Sequence, residues 1–549
     1  MTRLARRLPL MVILAGIGCI AMFVPAIHAG VAHDLRVARS FLHAGSLGLI
    51  LVVLAGLATS ADPAPPGTAR QARSHLLTVL AAFTMLPLGL AIPFNESIPD
   101  TGLFNAWWEM VSAFTTTGAT LYDPARLSPS LHLWRAIVGW LGGLFILIAA
   151  ISILAPLKIG GFEMMSAPGG GSQDNLTRLG VGAGADAGRA GARLQPVPGE
   201  AVDAAARLMR FARVLAPVYA AITLGLWVAL MLAGDPALVA LCHAMATVST
   251  SGITPIAGPV AGMTAGPQPI GLTAGSGLMG EVLIALVLIL ALSRRLWPAE
   301  GKLLRASDRL ARDPELRLAA LIVIAVPAVL VARHIAFHAA VPTQAITPWQ
   351  NLAEAARTAW AGAFTALSFL TTTGFEARDF ALARGWSGLS APGLMLAGLA
   401  ITGGGVATVA GGVKLLRVAA LMMHGRHELD RLLHPAVVPG GGRIARRLRS
   451  EAAFLAFLFF MLFAAAIAVV TALVSLSNLA FLQAMMLSIS ALSNTGPLAA
   501  VSGALTGVGA PSWSGLADMT KAVLAGAMVL GRLETLAILA LFNRELWRS

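Results

Sequence analysis

Four short runs of hydroxyl-bearing residues, each ending in glycine, carry the chemistry that this sequence suggests. The runs are Thr115-Thr116-Thr117-Gly118, Ser249-Thr250-Ser251-Gly252, Thr371-Thr372-Thr373-Gly374 and Ser493-Asn494-Thr495-Gly496. Each run has a hydroxyl one and three residues before its glycine, an apolar residue four before it and a small residue six before it. Four copies in register, at long and nearly regular intervals, indicate one structural unit used four times.

The residue types in these runs suit a monovalent cation. A terminal glycine permits left-handed or crowded backbone and leaves no side chain in the way, so that successive carbonyls can turn toward one axis. The hydroxyls can add oxygen ligands or fix the backbone. Four such runs around one axis would replace an ion's hydration shell, as potassium filters do. The runs contain no acidic residue, which disfavours divalent metals, and we therefore predict that all four bind potassium.

Each run follows an apolar stretch that we predict to be a short helix. These stretches lie near 102–114, 236–248, 351–370 and 478–492, and they open near residues that favour helix N-caps, namely Asp100, Asp235, Asn351 and Asn478. A helix so placed would direct the partially negative end of its dipole at the bound ion. On the second of these helices we expect His243 to be packed or hydrogen-bonded, with proton sensing as the alternative.

The composition is that of a polytopic membrane protein. Of its 549 residues, 57% are hydrophobic and only 12% are charged, with a formal net charge of +13. Lysine and arginine concentrate in the stretches 158–210, 294–317 and 414–449, whereas 232–280 and 473–520 contain neither. This asymmetry follows the positive-inside rule and places the four runs on the outer side. The positive charge therefore sets the membrane topology, with anionic lipid as a further contact, and does not indicate nucleic acid.

We predict an all-α fold of two N-terminal transmembrane helices followed by four repeats. Each repeat comprises a membrane helix, a short pore helix and a returning membrane helix around one pore. The predicted boundaries are 1–61 for the N-terminal helices, 74–157 for repeat 1, 158–204 for a cytoplasmic linker, 205–297 for repeat 2, 298–317 for a basic loop, 318–424 for repeat 3, 425–449 for a second basic loop and 450–549 for repeat 4.

The returning helix of repeat 3 is interrupted by glycines. The interruption contains Gly403, Gly404, Gly405, Thr408, Gly411 and Gly412, and it leads directly into Lys414. Each glycine costs about 1 kcal/mol relative to alanine inside a helix, so this stretch should unwind. Irregular backbone at membrane depth is tolerated where it is buried or lines a water-filled cavity. We predict a mobile gate, with a close helix-packing site as the alternative.

Arg532 lies inside the last predicted membrane span. An intramembrane charge usually faces a partner or the transport pathway. We expect Arg532 to face the inward half of the pore, with Lys414 as a second positive charge near the gate. The alternative is that Arg532 braces the gate by hydrogen-bonding the free carbonyls of the glycine-rich interruption.

These residues resemble the Trk/Ktr/HKT superfamily of potassium transporters, and most closely its bacterial TrkH/TrkG branch. The most specific matches are Phe114–Thr120, Trp134-Arg135, Gly139–Gly143, Ser493–Pro497, Gly531–Glu534 and Trp547-Arg548. The family's third-repeat motif, GGxxGSTxGGIK, corresponds to residues 403–414. Here Ala407 replaces a glycine, Thr408-Val409 replaces Ser-Thr, and Leu498 stands where the fourth motif usually has glycine.

The resemblance implies potassium uptake across the cytoplasmic membrane by a homodimer. It also implies a partner, a cytosolic ring of nucleotide-binding regulatory subunits of the TrkA type. Any nucleotide would belong to that partner, so we expect no cofactor on this chain and treat potassium as its substrate.

Three other functions are compatible with parts of the pattern. A sodium-conducting or weakly selective transporter of the same architecture stays open, because Ser249 and Asn494 make the four runs unequal. An intramembrane enzyme is disfavoured by the lack of His-Glu-x-x-His and Gly-x-Ser-x-Gly motifs, so we expect no enzymatic activity. An inverted-repeat transporter would alternate the orientation of its repeats, whereas the basic stretches here follow the repeats on one side.

Overall fold

The computed structural model describes most of the hydrophobic part of the chain. It covers residues 10–59, 77–154, 204–256, 275–297, 313–340, 348–387, 392–434, 443–501 and 513–533. Within these ranges the chain is helical and contains no β-strand, as predicted. Of the predicted linker 158–204, only the last position is described. Glu534, Trp547 and Arg548 also lie outside the described residues.

The described residues form helices that are numbered here in chain order. In chain order they are α1 (Leu10–Ala21), α2 (Phe23–Val31), α3 (Leu35–Thr59), α4 (Leu86–Ser97), α5 (Leu103–Phe114), α6 (Pro129–Ala149), α7 (Ala204–Leu232), α8 (Ala237–Val248), α9 (Gly277–Leu288), α10 (Pro314–Ala340), α11 (Pro348–Leu370), α12 (Phe380–Ser387), α13 (Pro392–Thr402), α14 (Leu415–Leu433), α15 (Arg443–Ser475), α16 (Phe481–Leu492), α17 (Leu498–Val501) and α18 (Asp518–Leu533). Helix α6 continues as a π-helical turn, Ala150–Leu154, and α9 continues as a 3₁₀ turn, Ile289–Ala291.

Seven helical segments in the described part of the chain are long and apolar enough to cross a membrane. They begin at Leu10, Leu35, Leu77, Pro129, Leu208, Pro314 and Ala453. Their outward faces expose large apolar side chains, for example Leu51 and Leu54 on α3 and Phe454 on α15. Such faces are stable in hydrocarbon and unfavourable in water. The chain is a multi-pass membrane protein.

The helices form four groups of three, in each of which one of the four helices predicted to precede a glycine packs between two others. Helix α5 packs between α4 and α6, α8 between α7 and α9, α11 between α10 and α13, and α16 between α15 and α18. Neighbouring groups also touch in chain order, through the pairs α6 and α8, α9 and α11, and α13 and α16. Helix α18 returns to α5, where the Trp108 indole donates a hydrogen bond to the Lys521 carbonyl over 2.9 Å. The last group therefore meets the first, and the assembly closes.

The residues expected to cap the four short helices do not do so. The N-cap residues of α5, α8 and α16 are Gly102, Pro236 and Ala480, and none of them makes a side-chain capping bond. Asn351 lies inside α11, which begins at Pro348. The prediction was wrong because the helices start at other residues, and two of the four expected caps, Asp100 and Asp235, bond to other parts of the chain.

Asp100 and Asp235 stabilise other parts of the chain. The Asp100 carboxylate lies 2.5 Å from the Arg126 guanidinium, which lowers the pKa of that carboxyl. Asp235 accepts hydrogen bonds from the backbone N–H groups of Gly275 and Ser276, over 2.8 and 2.9 Å, just before α9 begins. Its carboxylate therefore supports the start of the returning helix and not the start of α8.

The second basic stretch, 425–449, is not a loop over most of its length. Helix α14 extends to Leu433 and α15 begins at Arg443, so that both helices continue into the predicted loop. Charged side chains do not prevent helix formation, because lysine, arginine and glutamate all have high helix propensity.

Two glycines let returning helices approach the ends of short helices. A Cβ added to Gly142 on α6 would overlap the carbonyl oxygen of Phe114, the last residue of α5. A Cβ added to Gly531 on α18 would overlap the carbonyl oxygen of Leu492, the last residue of α16. The same contact thus occurs in the first and fourth groups, and each glycine is required by close packing.

We predict that Gly531→Ala lowers the free energy of unfolding by about 1–3 kcal/mol, because the added methyl group overpacks the contact with Leu492. Gly526→Ala on the same helix is the matched control, since nothing lies within 4 Å of its added Cβ. The control should be as stable as the parent, or more stable by up to about 1 kcal/mol. Thermal unfolding of the detergent-purified proteins measures both, and equal destabilisation by the two substitutions would contradict the packing role.

Candidate functional site: a ring of four glycine segments

The four hydroxyl-rich runs lie directly after the short helices. We call them the first to fourth glycine segments: Thr115–Gly118 after α5, Ser249–Gly252 after α8, Thr371–Gly374 after α11 and Ser493–Gly496 after α16. Every hydroxyl or amide side chain in them is buried, with at most 2% of its surface exposed. Each segment therefore begins at the carbonyl end of a helix dipole, as the sequence predicts.

The four segments share one backbone conformation up to the residue before the glycine, and then differ, since Gly118, Gly252 and Gly374 have positive φ and Gly496 does not. The residue two before each glycine is left-handed, with φ of 54° at Thr116, 48° at Thr250, 60° at Thr372 and 55° at Asn494. The N–H of the residue one before each glycine donates to a carbonyl five residues earlier, over 2.9 Å in every copy. These acceptors are Ser112, Ala246, Ser368 and Ser490, the small residues of the sequence pattern.

The hydroxyls one and three residues before each glycine bond to each other. The oxygen–oxygen distances are 2.8, 3.0, 3.1 and 3.2 Å in the first to fourth segments. The earlier hydroxyl of each pair also donates to a carbonyl in the last turn of the preceding helix, for example from Thr115 to Val111 over 2.8 Å. The sequence left open whether these hydroxyls coordinate an ion or fix the backbone. In the structure their hydrogen bonds fix the backbone.

The glycines lie where each segment touches the next. A Cβ added to Gly118 would overlap the carbonyl oxygen of Ser251, and one added to Gly252 would overlap that of Thr373. A Cβ on Gly374 would lie 3.0 Å from the Pro497 ring.

The fourth segment closes the ring against the first. A Cβ added to Gly496 would overlap the backbone nitrogen of Ala119, and the Gly496 N–H donates to the Thr117 carbonyl over 2.6 Å. The four segments therefore form a closed ring in chain order, with a glycine at each contact.

The ring is not symmetric. In the fourth segment, the Asn494 amide nitrogen donates to the Thr117 hydroxyl and to the Met528 carbonyl, both over 2.9 Å. In the third, the Thr372 hydroxyl accepts a hydrogen bond from the Gly411 N–H over 2.7 Å. The equivalent hydroxyls of Thr116 and Thr250 have no hydrogen-bond partner among the described residues. Four similar sequences thus make four different sets of contacts.

The predicted interruption of the third returning helix is present. Helix α13 ends at Thr402 and α14 begins at Leu415, and the residues between them, 403–414, form what we call the break segment. Its ends are tied together, since the N–H groups of Val413 and Lys414 donate to the carbonyls of Ile401 and Thr402. The chain thus leaves the helical path and returns to it.

The break segment also bonds to neighbouring elements. The Gly405 N–H and the Thr408 hydroxyl both donate to the Ala291 carbonyl over 3.0 Å. The Val406 N–H donates to the Glu315 carboxylate over 2.8 Å. These bonds satisfy main-chain groups that would be costly to leave unpaired in a membrane.

Gly411 connects the break segment to the ring. A Cβ added there would overlap the Ser493 carbonyl oxygen, while its N–H reaches Thr372. Gly411 and the buried side chain of Lys414, both in the break segment, also line a cavity of about 20 Å³ together with the buried Arg532 of α18. This volume is enough for one water molecule. Five of the eight predicted gate residues therefore line one cavity, namely Thr408, Gly411, Gly412, Lys414 and Arg532. Of these, Gly411 also touches the third and fourth segments.

Two buried carboxylates near the ring were missed by the sequence reasoning. Glu109 on α5 lies 2.7 Å from the Arg135 guanidinium on α6, and both side chains are at most 3% exposed. Glu281 on α9 accepts a hydrogen bond from the Trp360 indole on α11 over 2.7 Å. The available signal was an acidic residue within an otherwise apolar helix.

Comparisons with known proteins identify relatives of this chain. The family model TrkH, described as a cation transport protein, matches residues 211–548. The Trk system potassium uptake protein TrkH of Salmonella typhimurium is 26% identical over 486 residues, which covers 87% of each chain. The Trk system potassium uptake protein TrkG of Escherichia coli is 27% identical over 482 residues, covering 86% of this chain and 83% of that one.

A solved structure has the same fold. The crystal structure of the potassium transporter TrkH from Vibrio parahaemolyticus matches the whole of both chains with a TM-score of 0.71 and 21% sequence identity.

We predict that Asn494→Thr lowers the free energy of unfolding by about 1–3 kcal/mol, because it removes two buried hydrogen bonds and places a β-branched residue in left-handed backbone. The reverse exchange, Thr250→Asn, is the matched control at the equivalent position of the second segment. That hydroxyl has no described partner to lose, and asparagine tolerates left-handed backbone well. Thermal unfolding should show a lower midpoint for the first variant only; the opposite order would contradict the asymmetry of the ring.

Proposed function

The chain belongs to the TrkH family of cation transport proteins, and on that premise we propose that it carries potassium ions through the ring of glycine segments. The relatives named above are potassium uptake proteins, which supports potassium as the substrate. The observation that carries the proposal is the closure of the ring, in which each segment contacts the next and the fourth contacts the first. A closed ring of backbone can surround an ion on all sides.

The chemistry of the ring favours a monovalent cation held by main-chain oxygens. Because the paired hydroxyls bond within their own segments, the carbonyls are the groups best placed to coordinate an ion. The preceding helices direct the negative ends of their dipoles toward the ring. The segments contain no carboxylate, so the site has the weak, multiple oxygen ligands of a potassium filter.

The break segment is the proposed gate. It lies against the ring at Gly411, and Lys414 and Arg532 line the small cavity beside it. A cation leaving the ring on this side would meet a main-chain obstruction and two fixed positive charges in a low-dielectric environment. Opening requires the break segment to release its bonds to Ala291, Glu315 and Thr372 and to withdraw. The closely packed break segment in this structure corresponds to the closed state of the proposed gate.

Membrane location and partners complete the proposal. The protein is proposed to lie in the cytoplasmic membrane, with the ring toward the outside and the basic stretches toward the cytoplasm, in accord with the positive-inside rule. On the resemblance described above, it is proposed to be a homodimer that binds a cytosolic nucleotide-binding ring of the TrkA type. It is proposed to act as a transporter without enzymatic activity and without a cofactor on this chain.

We predict that Gly252→Ser and Gly374→Ser both weaken the preference for potassium over sodium, and that Gly252→Ser does so more strongly. The first side chain would overlap a neighbouring carbonyl oxygen, whereas the second meets the Pro497 ring, which can shift. Adding Pro497→Ala to Gly374→Ser should restore part of the preference. Reversal potentials of reconstituted protein in mixed potassium and sodium measure the effect, and rubidium uptake with sodium competition checks it.

Two results would reject the filter assignment. If both glycine variants reach the membrane normally and keep the parent's ion preference, the ring is not the selective element. If the parent itself prefers sodium or fails to discriminate, the sodium-conducting or weakly selective alternative is correct.

We predict that Thr408→Val raises potassium flux without changing ion preference, because it removes the hydroxyl bonds to the carbonyls of Ala291 and Gly405 that hold the break segment. Thr402→Val is the matched control, since the Thr402 hydroxyl bonds only within its own helix, to the Gly398 carbonyl. Flux into proteoliposomes is the measurement. Parental flux in Thr408→Val, with normal reconstitution, would leave the break segment as a packing site.

A further inference from the structure

One position of the helix before each glycine segment is equivalent in all four copies. It lies nine residues before the glycine and is occupied by Glu109, His243, Thr365 and Leu487. All four side chains are buried, with at most 1% of their surface exposed. Three are polar, although they differ in charge and size, and each of these three makes a bond to the chain beyond its own glycine.

In the first group the bond comes from a carboxylate. One Glu109 oxygen accepts the N–H of Leu121, three residues after Gly118, over 3.0 Å. The other oxygen lies 2.7 Å from the Arg135 guanidinium on α6. Glu109 thus joins the start of the outgoing chain to the returning helix.

In the third group a hydroxyl takes the same place. The Thr365 oxygen accepts the N–H of Ala377, again three residues after the glycine, over 3.2 Å. The following N–H, that of Arg378, donates to Glu281 over 2.6 Å. The outgoing chain is therefore held by two consecutive N–H groups.

In the second group the bond is made between two side chains. One ring nitrogen of His243, Nε2, lies 2.9 Å from the hydroxyl of Thr254, two residues after Gly252. The other, Nδ1, lies 3.9 Å from the Asp235 carboxylate. His243 is thus packed and hydrogen-bonded, as expected from the sequence.

In the fourth group the equivalent residue, Leu487, is apolar, and the course of the outgoing chain explains why. After Gly496 the chain turns directly into α17, and the N–H groups of Leu498 and Ala499 donate to the carbonyls of Thr495 and Gly496, over 3.1 and 3.3 Å. The outgoing chain satisfies its own backbone, so that the helix below needs no polar side chain and has Leu487.

We propose that Glu109, His243 and Thr365 are positioning residues for ion selectivity: each holds the outgoing chain so that the carbonyls of its glycine segment keep their distance from the pore axis. This inference rests on the proposed filter function of the ring. Buried ion pairs such as Glu109 and Arg135 contribute little to stability compared with apolar residues of similar size. Discrimination between ions of similar radius, by contrast, depends on the placement and field of the coordinating oxygens.

Thr365 gives the cleanest test because valine has the shape of threonine without the acceptor. Thr365→Val should lower the potassium-to-sodium permeability ratio roughly three- to tenfold, the factor that corresponds to the loss of one hydrogen bond. Thr365→Ser keeps the hydroxyl and should keep the parent's ratio. Leu487→Met, the matched control in the fourth group, should also keep it.

A second comparison removes the buried charges in two ways. Glu109→Gln with Arg135→Gln keeps an acceptor for the Leu121 N–H, whereas Glu109→Met with Arg135→Met does not. The amide pair should retain the parent's permeability ratio, and the methionine pair should lose roughly three- to tenfold. Equal ratios in these two double variants would show that the hydrogen bond to Leu121 does not position the ring.

The Gly374→Ser variant separates failure of this inference from failure of the filter itself. If Gly374→Ser loses selectivity while Thr365→Val keeps it, the ring is the filter and the positioning role is wrong. If neither variant changes the ratio, both ideas are rejected. Membrane abundance and thermal unfolding are measured for every variant, and a loss of selectivity in Thr365→Val at parental stability supports the positioning role.

Discussion

The contact on which the rest of this structure depends is the approach of each glycine to the neighbouring segment. At Gly118 and Gly252 a Cβ would overlap the next segment's carbonyl oxygen, and at Gly496 it would overlap the backbone nitrogen of Ala119, the residue directly after the first segment. Main chain can approach main chain this closely only where no side chain intervenes. Because all four short helices end at these contacts, the closure of the ring also fixes where the helices and their returning partners lie.

The membrane imposes the second constraint, which is that irregular backbone needs partners. The glycine segments, the chains that leave the first three of them and the break segment are non-helical. In hydrocarbon each unpaired N–H or carbonyl is costly. The structure supplies partners from other parts of the chain. Glu109 and Thr365 accept N–H groups beyond the first and third segments, Glu315 accepts one from the break segment, and Asp235 accepts two before α9. The buried polar residues are therefore explained by the irregular backbone that they support.

The ring departs from fourfold symmetry where it meets the break segment and where it closes. Thr372 is bonded to Gly411, Asn494 bridges to the first segment, and Gly374 faces the Pro497 ring instead of a carbonyl. One chain with four unequal copies can place a gate on one side of the pore, which four identical subunits could not do. The proposed gate depends on this inequality of the four copies, since it lies against the third and fourth segments.

The sequence alone determined much of what is local. The four hydroxyl-and-glycine runs, the short helices before them and the interruption at 403–412 follow from spacing, hydrophobicity and glycine content, which act through neighbouring residues. The multi-pass membrane class and the family resemblance were also correct.

Only the tertiary structure decided which partners these residues meet. It showed that the expected caps Asp100 and Asp235 bond elsewhere, that paired hydroxyls brace their own segments, and that Gly411 touches the ring and lines the cavity of Lys414 and Arg532. Those contacts join residues far apart in the chain, as Asn494 and Thr117 are. Local spacing cannot specify them, because they exist only once the helices have packed and the ring has closed.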